Sequence, residues 1–84
     1  MTRAELNQAI KEQRAVSSHG YDMDGGFTRP GITAVYATPE RAADAVGKYT
    51  DEMMMSATMW ITLATQDEAD RLPGWCLDMI TAED

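Results

Sequence analysis

The chain of 84 residues carries fourteen acidic and seven basic side chains, which gives a net charge of −7. This length fits a single domain, residues 1–84, and the negative charge argues against direct binding of nucleic acid or of an anionic membrane surface, because phosphates are repelled. The single cysteine, Cys76, argues against a disulfide framework and a cysteine-rich zinc site, and it is typical of a cytoplasmic protein.

The first predicted element is a helix over residues 3–15. Thr2 and Glu5 have the spacing of a capping box, and apolar residues follow at roughly helical intervals. Residues 17–31 contain four glycines and a proline, so we expect a long loop after this helix. Loops of this length in a small domain are often functional.

The middle of the chain predicts a strand, a helix and a second strand. Residues 32–37 are β-type, and Val35 and Tyr36 fall on opposite faces, which favours an interior strand covered on both sides. A threonine and a proline at 38–39 then have the residue types of a helix start. Residues 58–64 alternate between two faces and form the clearest strand of the chain.

The C-terminal part begins with a second capping box, formed by Thr65 and Glu68, which predicts the start of a short helix. A proline and a glycine at 73–74 interrupt that helix. Residues 74–81 fit a helical apolar stripe, and their alternation also fits a strand. We predict a helix here, with the strand as the alternative.

These elements predict an α+β domain with the order helix, loop, strand, helix, strand, helix. The strand–helix–strand unit implies two parallel strands, with a small sheet packed by helices. Two strands are too few for a stable sheet. Either residues 17–31 supply a third strand, or a second subunit completes the sheet.

The chain contains little that indicates catalysis. His19 is the only histidine, and one histidine per chain does not make the common two- or three-histidine metal sites. Cys76 lies among apolar and acidic residues, so we interpret it as a buried structural thiol. Phosphate-binding, dinucleotide-binding and serine-hydrolase motifs are missing from the sequence. We therefore expect no enzyme activity, no cofactor and no metal.

Residues 65–84 carry six acidic and one basic side chain, the strongest charge imbalance in the chain. Such a segment attracts basic partners. The predicted partner-binding residues are Asp51, Glu52, Asp67, Glu68, Asp70 and Asp78. Three consecutive methionines cannot all face one core, so Met54 and Met55 are predicted to lie in an apolar interface. Trp60 and Trp75 are expected in the core, with a role as interface anchors as the alternative, because interface anchors are enriched in tryptophan.

The leading hypothesis is a non-enzymatic protein-binding module with a basic protein or nucleoprotein complex as its partner. A concrete form is an inhibitor that occupies a nucleic-acid-binding surface with carboxylates in place of phosphates. In size and charge, and in no motif, the chain resembles the small phage-encoded inhibitors of bacterial defence, such as anti-CRISPR proteins. The alternatives are a small homo-oligomeric structural or accessory protein, such as a homodimer, and a small-molecule or metal-dependent enzyme that uses His19.

Overall fold

A computed structural model describes residues 1–20, 31–54 and 59–83. The described chain is an α+β fold with a four-stranded, mixed, open sheet in the order β3-β1-β2-β4. A short 3-10 helix precedes the last strand. The elements in chain order are α1 (Arg3–Lys11), β1 (Ala15–Gly20), β2 (Gly31–Tyr36), α2 (Pro39–Met54), β3 (Met59–Leu63), α3 (Gln66–Arg71), the 3-10 helix (Gly74–Met79) and β4 (Thr81–Glu83).

Strand β1 organises the sheet because it pairs antiparallel with both β2 and β3. The predicted strands β2 and β3 therefore run in the same direction, with β1 between them. Strand β4 adds to the other side of β2 in parallel, so β2 is an interior strand as predicted. The register between β1 and β2 shifts after Val16, where Thr33 of β2 has no partner residue. The extra residue changes which face of the sheet the side chains after Thr33 occupy. Ile32 and Val35 therefore lie on one face, and Ala34 and Tyr36 lie on the other.

Each face of the sheet is covered by its own helices. On the first face, α1, α3 and the 3-10 helix bury one apolar cluster, whose buried members are Leu6, Ala9, Ala15, Ile32, Val35, Ala69 and Leu77. On the second face, α2 buries a separate cluster with Val16, Ala34, Tyr36 and Ala42. The two clusters give the domain three layers, with the sheet in the middle.

The predicted helix over residues 3–15 is too long. Helix α1 ends at Lys11, and Gln13 adopts a left-handed backbone conformation with φ 59°. The Arg14 amide donates to the Ala9 carbonyl at 2.7 Å, which closes a tight turn into β1. Because Ala15 and Val16 are apolar, the helical pattern continued into them, although both are buried strand residues.

The missing strands come from the chain itself. Residues 17–20, predicted as loop, belong to β1, and residues 21–30 lie outside the described residues. Of the two ways of completing the sheet, a strand from the 17–31 region is thus confirmed, and β4 adds a fourth. The segment 74–81 contains both predicted conformations, because the 3-10 helix ends at Met79 and β4 begins at Thr81.

Candidate protein-binding surface

The capping box of α3 is confirmed and has a further contact. The Thr65 hydroxyl accepts from the Glu68 amide, and the Glu68 carboxylate accepts from the Thr65 amide, both at 3.3 Å. The second carboxylate oxygen of Glu68 accepts from the hydroxyl of Ser17, a fully buried residue of β1. Glu68 thus fixes the start of α3 on the sheet, and its carboxylate is already hydrogen-bonded within the protein.

The other end of α3 is held by Arg3. The Arg3 guanidinium donates to the Ala69 carbonyl, and to the Leu72 carbonyl at 2.7 Å. These carbonyls lie at the end of α3, where helical backbone acceptors lack partners and the helix dipole favours a cation. Side-chain hydrogen bonds therefore hold both ends of α3, and they fix the position from which the chain continues into the 3-10 helix.

The 3-10 helix presents an unusual exposed apolar pair. With three residues per turn, Leu77 faces the core, whereas Trp75 and Asp78 share a row that faces away from it. The side chain of Trp75 is 67% exposed and that of Met79 is 72% exposed. The expectation that Trp75 lies in the core is wrong. Trp75 comes two positions before the buried Leu77, so in a three-residue repeat it occupies a different row from Leu77.

We define the C-terminal surface as the exposed side chains of α3 and the 3-10 helix. Its carboxylates are Asp67, Asp70 and Asp78, all exposed. Arg71 is its only basic residue, and it makes no hydrogen bond or ion pair with any residue that the structure describes. The surface therefore combines an excess of negative charge with two large exposed apolar side chains, Trp75 and Met79.

A cavity of about 360 Å³ opens within the C-terminal surface. It lies where α3, the 3-10 helix and the first residues of β2 meet. The lining residues are Gly31, Ile32, Glu68, Arg71, Leu72, Pro73, Trp75 and Cys76. Cys76 is half-buried at this wall, so the thiol expected to be buried retains some exposure.

The remaining predicted partner-binding residues lie on another element. Asp51, Glu52 and Met54 belong to the last turn of α2, and Met55 lies outside the described residues. Helix α2 covers the opposite face of the sheet from α3. The six predicted acidic residues therefore divide between two layers, and Asp67, Asp70 and Asp78 form the part that belongs to the C-terminal surface.

His19 takes part in a cross-strand pair between β1 and β3. Its imidazole stacks on the indole of Trp60, with ring centroids 5.6 Å apart and planes inclined by 13°. Its Nε2 atom lies 2.9 Å from the Thr62 hydroxyl oxygen. Among the described residues no carboxylate contacts this ring, and no group of three histidine, cysteine or acidic side chains is placed to hold a metal ion. These contacts are those of a residue that stabilises strand pairing.

A second, wider cleft of about 530 Å³ lies between α1 and the ends of β2 and β4. Its charged side chains include Arg14, whose guanidinium donates to Glu12 at 2.6 Å and to the Tyr36 carbonyl at 2.7 Å. Glu12 has a lowered pKa because Gln8 and Arg14 donate hydrogen bonds to its carboxylate. The guanidinium of Arg14 is therefore already bonded within the protein, and its contact with the Tyr36 carbonyl joins the segment after α1 to the sheet.

Comparisons of the chain with protein-family models, with curated proteins and with solved structures give no match. Among the described residues, no helix has both the length and the apolar character needed to cross a membrane.

Proposed function

We propose that this protein is a non-enzymatic, cytoplasmic protein-binding module whose C-terminal surface contacts a basic surface of a partner protein or nucleoprotein complex. The observation that supports this proposal is the exposure of Trp75 within the most acidic part of the chain. Tryptophan is enriched among the residues that dominate binding energy, and surrounding charges steer association and set specificity.

The inhibitor form of the proposal follows from the same features. A surface with Asp67, Asp70 and Asp78 presents carboxylates to a partner that normally binds phosphates. Such a partner loses affinity for the module as salt rises, because dissolved ions screen the attraction between its basic surface and these carboxylates. The fixed ends of α3 support this function, since a preorganised surface loses less conformational entropy on binding.

The test is affinity capture from a lysate of the native host at low and moderate salt, followed by identification of the retained protein and measurement of its affinity with purified components. Asp70→Asn/Asp78→Asn removes two charges from the C-terminal surface. Its matched control, Glu40→Gln/Asp44→Asn, removes two charges from exposed positions of α2.

We expect a basic partner that is retained by the wild type and by the α2 control. The Asp70→Asn/Asp78→Asn variant should bind it about tenfold more weakly, since rim charges contribute modestly each. Equal weakening by both double variants would show that net charge alone drives the interaction. If the purified chain returns only itself at both salt concentrations, the homo-oligomer hypothesis replaces this proposal.

A further inference from the structure

The cavity in the C-terminal surface has mostly apolar walls and two charged lining residues, Glu68 and Arg71. Four of its eight lining residues have apolar side chains: Ile32, Leu72, Pro73 and Trp75. Its volume of about 360 Å³ is near the lower end of the range for ligand sites in proteins, roughly 300–1,000 Å³. It is thus large enough for one bulky side chain and small for an extended cofactor.

The two charged residues of the cavity do not favour an ion inside it. Glu68 accepts hydrogen bonds from Ser17 and Thr65, so most of its acceptor capacity is already used. Arg71 lies one helical turn further along α3, and its opposite charge offsets that of Glu68. Because the Arg71 guanidinium has no bonded partner among the described residues, its N–H groups are available to carbonyl oxygens of an occupant.

The two helices that form the cavity carry exposed negative charge, although the charges inside the cavity offset each other. Asp67, Asp70 and Asp78 are exposed on the two helices that form it, and they attract a segment of positive charge. At protein interfaces a buried apolar anchor commonly supplies most of the affinity, while charges on the surrounding surface supply specificity. The exposed aspartates of these two helices argue for a basic segment, and the apolar lining of the cavity argues for an apolar anchor within that segment.

We propose that this cavity receives one aromatic or branched aliphatic side chain from a basic segment of the partner protein. The inference rests on the proposed function, and it names the part of the partner that the C-terminal surface recognises. Trp75 forms the outer wall against which the anchor packs. Arg71 donates to main-chain carbonyls of the segment beside the anchor.

Cys76 supplies a direct probe of occupancy, because it lines the cavity and is the only thiol in the chain. The experiment measures the rate at which iodoacetamide alkylates Cys76 in the full chain at low salt. Two synthetic lysine-rich peptides are added at concentrations that saturate binding, one with a central phenylalanine and one with alanine in its place. Peptide affinities are measured in parallel by calorimetry.

The phenylalanine peptide should slow alkylation of Cys76 by about tenfold relative to the alanine peptide, and it should bind about tenfold more tightly, because its ring leaves water. Equal rates and equal affinities with the two peptides would overturn the pocket proposal and leave the acidic-surface proposal standing. Failure of both peptides to bind at low salt would overturn both.

Two variants separate the pocket from general surface hydrophobicity. Trp75→Ala removes one wall of the cavity, whereas Met79→Ala removes an equally exposed side chain of the same helix that does not line it. Discrimination between the two peptides should fall to less than threefold in Trp75→Ala and remain about tenfold in Met79→Ala. Loss of discrimination in both variants, or in neither, would contradict the proposed anchor site.

Discussion

The hydroxyl of Ser17 is the polar contact on which the position of α3 depends most directly. Ser17 is fully buried in β1 and donates to the Glu68 carboxylate, which also caps α3. We expect Ser17→Ala to lower the free energy of unfolding by about 1–2 kcal/mol, because a partly buried carboxylate loses a donor. Denaturant-induced unfolding, followed by tryptophan fluorescence, measures this loss.

The neighbouring Ser18 provides the matched control. It is half-buried, occupies the next position of β1, and bonds through its side chain to none of the described residues. Ser18→Ala should change the free energy of unfolding by less than about 0.5 kcal/mol. A loss as large in Ser18→Ala as in Ser17→Ala would show that any serine-to-alanine change in β1 is costly and that the Glu68 contact has no special weight.

At the scale of single residues, helix caps could be predicted from the sequence, whereas the solvent exposure of individual side chains could not. Thr65 and Glu68 were predictable as a capping box because both partners lie within one turn. The bond from Ser17 to Glu68 joins positions 51 residues apart, and nothing local indicates it. The exposure of Trp75 was missed because a tryptophan is usually buried, and its direction depends on the three-residue repeat of a 3-10 helix.

Among the elements, α2 and α3 were predictable because their starts are marked by local side-chain chemistry. The amide of Arg41 donates to the Thr38 hydroxyl at 3.2 Å, as an N-terminal cap requires. The start of strand β1 at Ala15 was not predictable, since apolar residues at 15 and 16 continued the helical pattern and the turn before them depends on a left-handed Gln13. The existence of β1 follows from pairing with β2 and β3, which is a tertiary effect.

The contact between β2 and β4 gives a pH-dependent prediction at the scale of elements. Tyr36 and Glu83 are register partners. Burial raises the pKa of Tyr36 above its ordinary 10.0, and the negative charges of Glu83 and of ionised Tyr49 raise it further. Above about pH 10 the unfolded chain releases this proton while the folded chain keeps it, so the free energy of unfolding should fall as pH rises through that range.

Two tyrosine variants test whether Tyr36 causes this alkaline fall in the free energy of unfolding. Tyr36→Phe should remove most of the alkaline decrease, because phenylalanine has no phenol to ionise, and it should change the free energy of unfolding near pH 7 by less than about 1 kcal/mol. Tyr49→Phe removes only one of the smaller causes of the raised Tyr36 pKa, so this variant should keep most of the decrease. The measurement is the unfolding midpoint in urea between pH 8 and about pH 11. An unchanged alkaline slope in Tyr36→Phe would contradict the assignment.

On the scale of the whole molecule, a net charge of −7 acts on folding and on binding with opposite signs. Repulsion among like charges destabilises the compact state, whereas the same charges attract a basic partner. At about 0.01 M salt the screening length is about 30 Å, comparable with the 35 × 27 × 18 Å extents of the molecule, and at about 1 M it is about 3 Å. Added salt should therefore strengthen folding, by on the order of 1 kcal/mol, and weaken partner binding.

The two double variants separate these effects. Asp70→Asn/Asp78→Asn and Glu40→Gln/Asp44→Asn each remove two negative charges, so both should reduce the increase in unfolding free energy with sodium chloride to a similar extent. Only the first should also reduce the salt dependence of partner affinity, because only its charges belong to the C-terminal surface. Parallel urea titrations and calorimetric binding curves at several salt concentrations measure the two slopes. If the α2 variant reduces the binding slope as much as the C-terminal variant does, the partner senses the net charge of the molecule and the C-terminal surface is not its docking site.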